Sequence, residues 1–191
     1  LSIVGIAIFA IFAAKVMSII GRRAGFIFAS IISSLSSLLA AYSIIIESFI
    51  LFNLACFLLG AGVAFSHQYR FAAVETVKKD MAPKAISIIL LAGIDSAFIG
   101  PNVANVTKNI IAEHLYAGSY IALAVLTLTS IIFLLFYKDG HKPNRINKKT
   151  SRSYLELISQ PRFLQALVAS AFAYAVMSFL MTATPISMHV M

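Results

Sequence analysis

The composition of the 191-residue chain excludes an ordinary water-soluble domain. Hydrophobic residues make up 60% of the sequence, charged residues only 12%, and the mean hydropathy is +0.93, whereas soluble domains are about one-quarter charged. The single Cys56 excludes a disulfide framework and a cysteine-ligated metal centre. The net charge of +8 indicates either an anionic partner or the orientation signal of a membrane protein.

Six apolar blocks follow one another along the chain. Each is long enough to cross roughly 30 Å of hydrocarbon as a helix that rises about 1.5 Å per residue. Helices are expected because backbone groups in lipid must be paired within their own segment, and the alternating pattern of a membrane barrel is absent. The sequence therefore predicts an all-α, polytopic membrane helix bundle with spans at about 1–20, 24–43, 48–68, 84–107, 117–137 and 163–185.

Basic residues are concentrated in alternate connections. Fourteen of the fifteen lie in or beside the first, third and fifth connections: Lys15, Arg22, Arg23, Arg70, Lys78, Lys79, Lys84, Lys138, Lys142, Arg145, Lys148, Lys149, Arg152 and Arg162. The other one, Lys108, lies on the opposite side. Because cytoplasmic loops are enriched in Lys and Arg, we expect the loops near Arg22, Lys78 and Lys148 to be cytoplasmic.

The stretch from Lys138 to Tyr154 is the longest polar connection and is rich in Asn, Lys, Ser and Gly. This composition is typical of a flexible linker. It predicts an amino-terminal bundle over 1–137, a cytoplasmic central linker over 138–157 and the start of a carboxy-terminal bundle over 158–191. Nucleic-acid binding is the alternative interpretation of "KDGHKPNRINKKTSR", but membrane topology already explains its charge, so we expect no nucleic-acid partner.

The fourth span contains a lone carboxylate, Asp95. It lies about ten residues, or about 15 Å, from the start of the span. A charge at that depth costs roughly a few kcal/mol or more. The side chain is therefore expected to face a partner, a water-filled cavity or a transport pathway. The alternative is a structural carboxyl group that is hydrogen-bonded between helices. Helical geometry places four polar residues within about 80° of Asp95: Lys84, Ser87, Asn102 and Asn105.

The third span carries a second, weakly polar stripe. Asn53, Gly60 and His67 recur every seven residues, so they share one helix face. Asn53 and His67 are predicted to join Asp95 and Asn102 along a substrate or proton pathway, with both stripes lining one cavity. An interfacial hydrogen-bonding anchor is the alternative role for His67. Small residues in the second and third spans predict close helix packing: Ser30, Ser33, Ser34, Ser37, Gly60, Ala61, Gly62 and Ala64.

Three stretches, "GRRAG", "GAGVAFSHQYRFAAVE" and "GIDSAFIGPNVAN", resemble in order and spacing the first half of a major facilitator superfamily transporter. "QYRFAAVE" resembles in particular a group of bacterial facilitators of undefined substrate. The resemblance implies that the six spans correspond to the second through seventh helices of a twelve-helix protein. It also implies a cytoplasmic central loop. We therefore expect the chain to be part of a longer polypeptide.

The resemblance also implies a set of residues for gating and conformational change. Gly21, Arg22 and Arg23 match the end of the family's first cytoplasmic loop, although the usual Asp is absent. Cys56 stands where the family's fourth helix often carries an arginine. The family's Gly-Pro kink is kept as Gly100 and Pro101, whereas Ser96, Ala104 and Asn105 replace its other glycines. For the two arginines, the alternative is a plain topology signal. For Gly100 and Pro101, the alternative to a functional hinge is a proline kink of the kind that is common in membrane helices.

Arg70 and Glu75 complete the predicted gating set. They lie five residues apart and therefore not on one helix face, so they are interpreted as loop anchors that pair with neighbouring helices. Glu75 could instead meet Lys78 or Lys79 at helical spacing.

These patterns predict a secondary active transporter of a small solute in the bacterial inner membrane. It is expected to work by alternating access, with proton coupling. A non-transporting membrane scaffold or assembly subunit is the alternative function. No enzymatic activity and no cofactor are expected, because nucleophile elbows, phosphate-binding loops and metal-ligand sets are absent from the sequence. The expected partners are the solute, the lipid bilayer and protons.

Overall fold

The computed structural model describes residues 1–137 and 159–190. The predicted linker over 138–157, including Lys148, lies outside the described residues. The helices are α1 (Ser2–Ile20), α2 (Arg22–Ile45), α3 (Phe49–Ser66), α4 (Tyr69–Thr76), α5 (Ala82–Thr107), α6 (Ala117–Phe136) and α7 (Pro161–Val190). Helices α1 to α6 belong to one compact unit and α7 to a second.

The six predicted spans and the all-α fold are confirmed. Within 1–137 and 159–190, six helical segments are at least 18 residues long, and each holds an 18-residue window with a mean hydropathy between 1.6 and 2.5. Helices α3 and α4 count as one segment here. The described residues contain no strand. Since such helices satisfy their own backbone groups in hydrocarbon, the chain is an integral membrane protein.

The end of the third span differs from the prediction. Tyr69–Thr76 was expected to be a loop, but these residues form α4, which follows α3 after a turn at His67 and Gln68. The Gln68 amide donates to the carbonyl of Phe65 over 2.9 Å, a contact three residues back that tightens the turn. Ala72 is buried at 3% exposure. The loop placement was therefore wrong, because tertiary packing stabilises a short helix that hydropathy does not reveal.

Helices α1 and α3 cross at two glycines. A β-carbon on Gly60 would overlap the carbonyl oxygen of Ser2 and lie 2.9 Å from the amide nitrogen of Ile6. On the opposite helix, a β-carbon on Gly5 would overlap the carbonyl oxygen of Phe57. The close approach of the two backbones therefore depends on the absence of side chains at both positions.

Serines on α2 make its contacts with α3 and α6. The hydroxyls of Ser30 and Ser130 are 3.0 Å apart, and Ser34 donates to the carbonyl of Ala124 over 3.3 Å. Ser33 lies so close to Gly62 that a β-carbon there would overlap its hydroxyl oxygen. Close packing at the small residues of the second and third spans is confirmed.

We predict that Gly60→Ala lowers the free energy of unfolding by about 1–3 kcal/mol, the usual penalty of overpacking a tight contact. Reversible unfolding of the purified protein in mixed micelles measures it. The matched control is Gly93→Ala on α5, because a β-carbon on Gly93 has no neighbour within 4 Å in the described part of the chain. There, helix propensity favours alanine. Equal stability of the two variants would contradict the Gly5–Gly60 crossing.

Candidate solute pathway and α2–α4 clamp

Asp95 lies near the middle of α5. It lies thirteen positions after Ala82, the first of 26 residues in the helix, which corresponds to about 20 Å of rise. Its side chain is exposed. No hydrogen bond or ion pair joins it to another residue within 1–137 and 159–190. Every other charged residue in the described spans lies within about two turns of a helix end. Asp95 is therefore the carboxylate for which burial in lipid would be most unfavourable.

Asn102 is bonded within its own helix rather than to Asp95. The Asn102 amide nitrogen instead donates to the carbonyl oxygen of Phe98 over 2.8 Å. Phe98 lies four residues earlier on the same helix. Pro101 lies inside α5 without ending it. The polar residues within about 80° of Asp95 therefore lie on one continuous helix.

The two predicted polar stripes lie on α3 and α5, and their lining of one cavity stays a prediction. The Gly60 position of the third-span stripe packs on α1, whereas α5 packs mainly against α4 and α6. Asn53 donates to the carbonyl of Phe49 over 2.9 Å, and His67 is exposed at the end of α3. No hydrogen bond joins Asn53 or His67 to Asp95 or Asn102 within 1–137 and 159–190, and the part of Asn53 and His67 in a pathway stays a prediction.

A charged contact joins α2 to α4. The Nε and Nη2 atoms of Arg22 each lie 2.5 Å from an oxygen of the Glu75 carboxylate. Arg23 donates to the carbonyl oxygen of Leu135 on α6 over 2.7 Å. We call this set of contacts, Arg22 with Glu75 and Arg23 with Leu135, the α2–α4 clamp. A two-pronged contact of this kind is specific to arginine, because its planar group matches both carboxylate oxygens.

The clamp confirms that Glu75 pairs with a neighbouring helix. The alternative partners, Lys78 and Lys79, follow the end of α4 at Thr76. Gly21 makes the arrangement possible, since it ends α1 with a φ of 93°, which residues with side chains rarely adopt.

Arg70 is exposed on α4 and its gating role stays a prediction.

An apolar cavity of about 580 Å³ lies between α5 and α6. Its lining combines aliphatic, aromatic and small residues: Ile44, Phe52, Ile99, Gly100, Val103, Ala104, Leu115, Tyr116, Ser119, Tyr120, Leu123 and Leu126. The rings of Phe52 and Tyr120 meet edge to face with centroids 5.7 Å apart. Among the predicted site residues, only Gly100 lines this cavity. Asp95 precedes its first α5 residue, Ile99, by one turn.

Sequence reasoning missed this cavity and the acidic partner of Arg22. The cavity could have been suspected from the aromatic residues near the starts of the third and fifth spans. The Arg22–Glu75 contact joins residues 53 positions apart, and no periodicity in one sequence indicates such a pair. The described residues hold no cluster of three or more His, Cys, Asp or Glu side chains.

We predict that Glu75→Gln lowers the free energy of unfolding by about 1 kcal/mol or less. The Glu75 side chain is 44% exposed, and exposed ion pairs are weak and screened by salt. Unfolding at low and high salt measures the effect: the wild-type protein should lose stability on adding salt, and the variant should lose less. Arg22→Lys is the matched variant, because lysine keeps the charge without the two-pronged geometry. An identical salt response in all three proteins would contradict the pairing.

Two comparisons with known proteins agree with this architecture. The family model of the Major Facilitator Superfamily matches residues 1–191. The chain is 33% identical over 187 residues to the riboflavin transporter RfnT of Brucella anthropi. The match covers 96% of the chain and 47% of the relative, so the chain spans about half the length of that protein. No solved structure matches the chain. On the family match over its whole length, the chain belongs to the major facilitator superfamily.

Proposed function

We propose that the full-length polypeptide is a secondary active transporter that moves a small solute across the bacterial inner membrane by alternating access. The observation that carries this proposal is Asp95, an unpaired carboxylate near the middle of a membrane-spanning helix in the described residues. Intramembrane carboxylates of this kind generally mark solute or ion pathways. Membership of the major facilitator superfamily and the transporter name of the relative support the same function.

The proposed role of Asp95 is to bind the solute or to carry a proton during the cycle. A carboxylate that gains a proton loses its charge, so it can pass through a low-dielectric state at much lower electrostatic cost. Coupling follows if protonation and solute binding favour different conformations of the same site. Asn102, Asn53 and His67 are proposed as further polar contacts along the pathway.

The α2–α4 clamp supports a conformational role for Gly21, Arg22, Arg23 and Glu75. In this proposal it keeps the ends of α2, α4 and α6 together while the bundle moves as a body. Arg70 would act beside it. Bending at Gly100 and Pro101 would change the shape of the α5–α6 cavity, because Gly100 forms part of the cavity wall. The loops near Arg22, Lys78 and Lys148 are proposed to be cytoplasmic, as their basic charge indicates.

Riboflavin is the first solute to test, since it is the solute in the name of the relative. We predict that cells producing the full-length protein accumulate labelled riboflavin. Asp95→Asn should reduce net uptake at least tenfold, which corresponds to an activation barrier about 1.4 kcal/mol higher in the limiting step. Asparagine keeps the size of the side chain but cannot carry a proton. Solute exchange, which needs no net proton movement, should be reduced much less.

The matched control is Glu113→Gln, which removes a carboxylate from the connection between α5 and α6 rather than from a span. Its net uptake should equal that of the wild-type protein. Unchanged uptake in Asp95→Asn would remove Asp95 from the mechanism. A folded full-length protein that transports neither riboflavin nor any solute of a broad metabolite panel would favour a non-transporting scaffold.

A further inference from the structure

A second contact joins α2 to α4 beside the Arg22–Glu75 ion pair. The rings of Phe26 and Tyr69 are stacked, with centroids 4.2 Å apart and an angle of 20° between their planes. Arg22 and Phe26 lie four residues apart on α2 and therefore on the same face of the helix. Tyr69 is the first residue of α4 and Glu75 the seventh. One face of α2 thus holds both ends of α4.

The two contacts differ in how they respond to solvent. Phe26 is fully buried at 0% exposure, and the edge of Tyr137 approaches it at a centroid distance of 6.3 Å. Stacked rings in such a setting do not depend on ionic strength. The Glu75 side chain is 44% exposed, so its attraction to Arg22 is weakened by water and salt. The aromatic contact is therefore the attachment of α4 that salt does not weaken.

The position of Tyr69 allows it to set the direction of α4. The turn at His67 and Gln68 separates α3 from α4, although both residues keep helical dihedral angles. The Gln68 amide makes a tighter, three-residue contact there. Tyr69 follows this turn at once, and Ala72 is buried one turn later. Glu75 lies six residues beyond Tyr69, about 9 Å along the helix. A small rotation at Tyr69 would carry the Glu75 carboxylate away from the two nitrogen atoms of Arg22.

We propose that Tyr69 is the positioning residue of the α2–α4 clamp. Its stacking on Phe26 orients α4 so that the Glu75 carboxylate meets Arg22. The effect on transport rests on the proposed function, whereas the effect on α4 itself does not. The two effects therefore need separate measurements.

Hydrogen–deuterium exchange of the full-length protein in lipid nanodiscs tests the structural part. In Tyr69→Leu, which keeps apolar bulk but removes the ring, the amides of Tyr69–Thr76 should exchange roughly tenfold faster, since local opening becomes easier. Tyr69→Phe should exchange like the wild-type protein. Glu75→Gln should accelerate exchange less than Tyr69→Leu. Unchanged α1 and α3 exchange would show that the fold is retained.

A double-variant cycle measured by uptake tests the positioning role. A purely structural contact would not give the result expected of this cycle. Glu75→Gln should slow net uptake in the wild-type background and should have no further effect in Tyr69→Leu, because the carboxylate is already displaced. In the Tyr69→Phe background, Glu75→Gln should again slow net uptake, as it does in the wild-type background. Tyr42→Leu is the matched control, since Tyr42 lies exposed on α2 and should change neither exchange nor uptake.

The proposal is overturned if Tyr69→Leu leaves the exchange of Tyr69–Thr76 unchanged, if Glu75→Gln accelerates it as much, or if Tyr69→Phe fails to behave like the wild-type protein. Additive effects of Tyr69→Leu and Glu75→Gln on uptake would also overturn it. If the wild-type protein moves no solute, the proposed function fails, and the exchange measurement alone decides the role of Tyr69.

Discussion

Backbone hydrogen bonding inside hydrocarbon is the constraint on which the rest of the structure depends. A peptide group in lipid has no water partner, so each membrane segment must pair its own donors and acceptors. The six apolar segments meet this requirement as helices. The interruption at His67 and Gln68 respects it too, because both amides donate to carbonyls three or four residues earlier. Side chains then determine how these helices approach each other and where polar groups remain.

Small residues determine the close approaches, because lipid supplies little hydrophobic drive for helices to associate. Gly5 and Gly60 allow α1 and α3 to cross backbone to backbone. Serines on α2 bond to α6 through Ser130 and the carbonyl of Ala124. Helix α5 differs from these helices, since it contains no buried residue and borders an apolar cavity. The closely packed part of the first unit is thus α1, α2, α3 and α6, and Asp95 lies on its least packed helix.

Features that depend on local sequence were predictable, and features that depend on distant contacts were not. The spans follow from the length of each apolar run, and the packing of Ser34 and Gly60 follows from residue size. Helix α4 is short and only weakly hydrophobic, so its stability comes from burial of Ala72 and stacking of Tyr69, which one sequence does not show. The Arg22–Glu75 pair spans 53 positions. Asn102 bonds to the carbonyl of Phe98 on its own helix, although helical geometry places it on the same side of α5 as Asp95.

Access of Asp95 to both sides of the membrane is the central claim of the transport account. The test uses the full-length Asp95→Cys variant in a Cys56→Ser background, placed in oriented membranes. A membrane-impermeant thiol reagent is added from each side in turn, and labelling of the cysteine is measured. The account predicts labelling from both sides in the absence of solute and a shift toward one side when a transported solute is bound, since a ligand shifts populations by differential affinity. A cysteine that reacts from neither side, with or without solute, would contradict it.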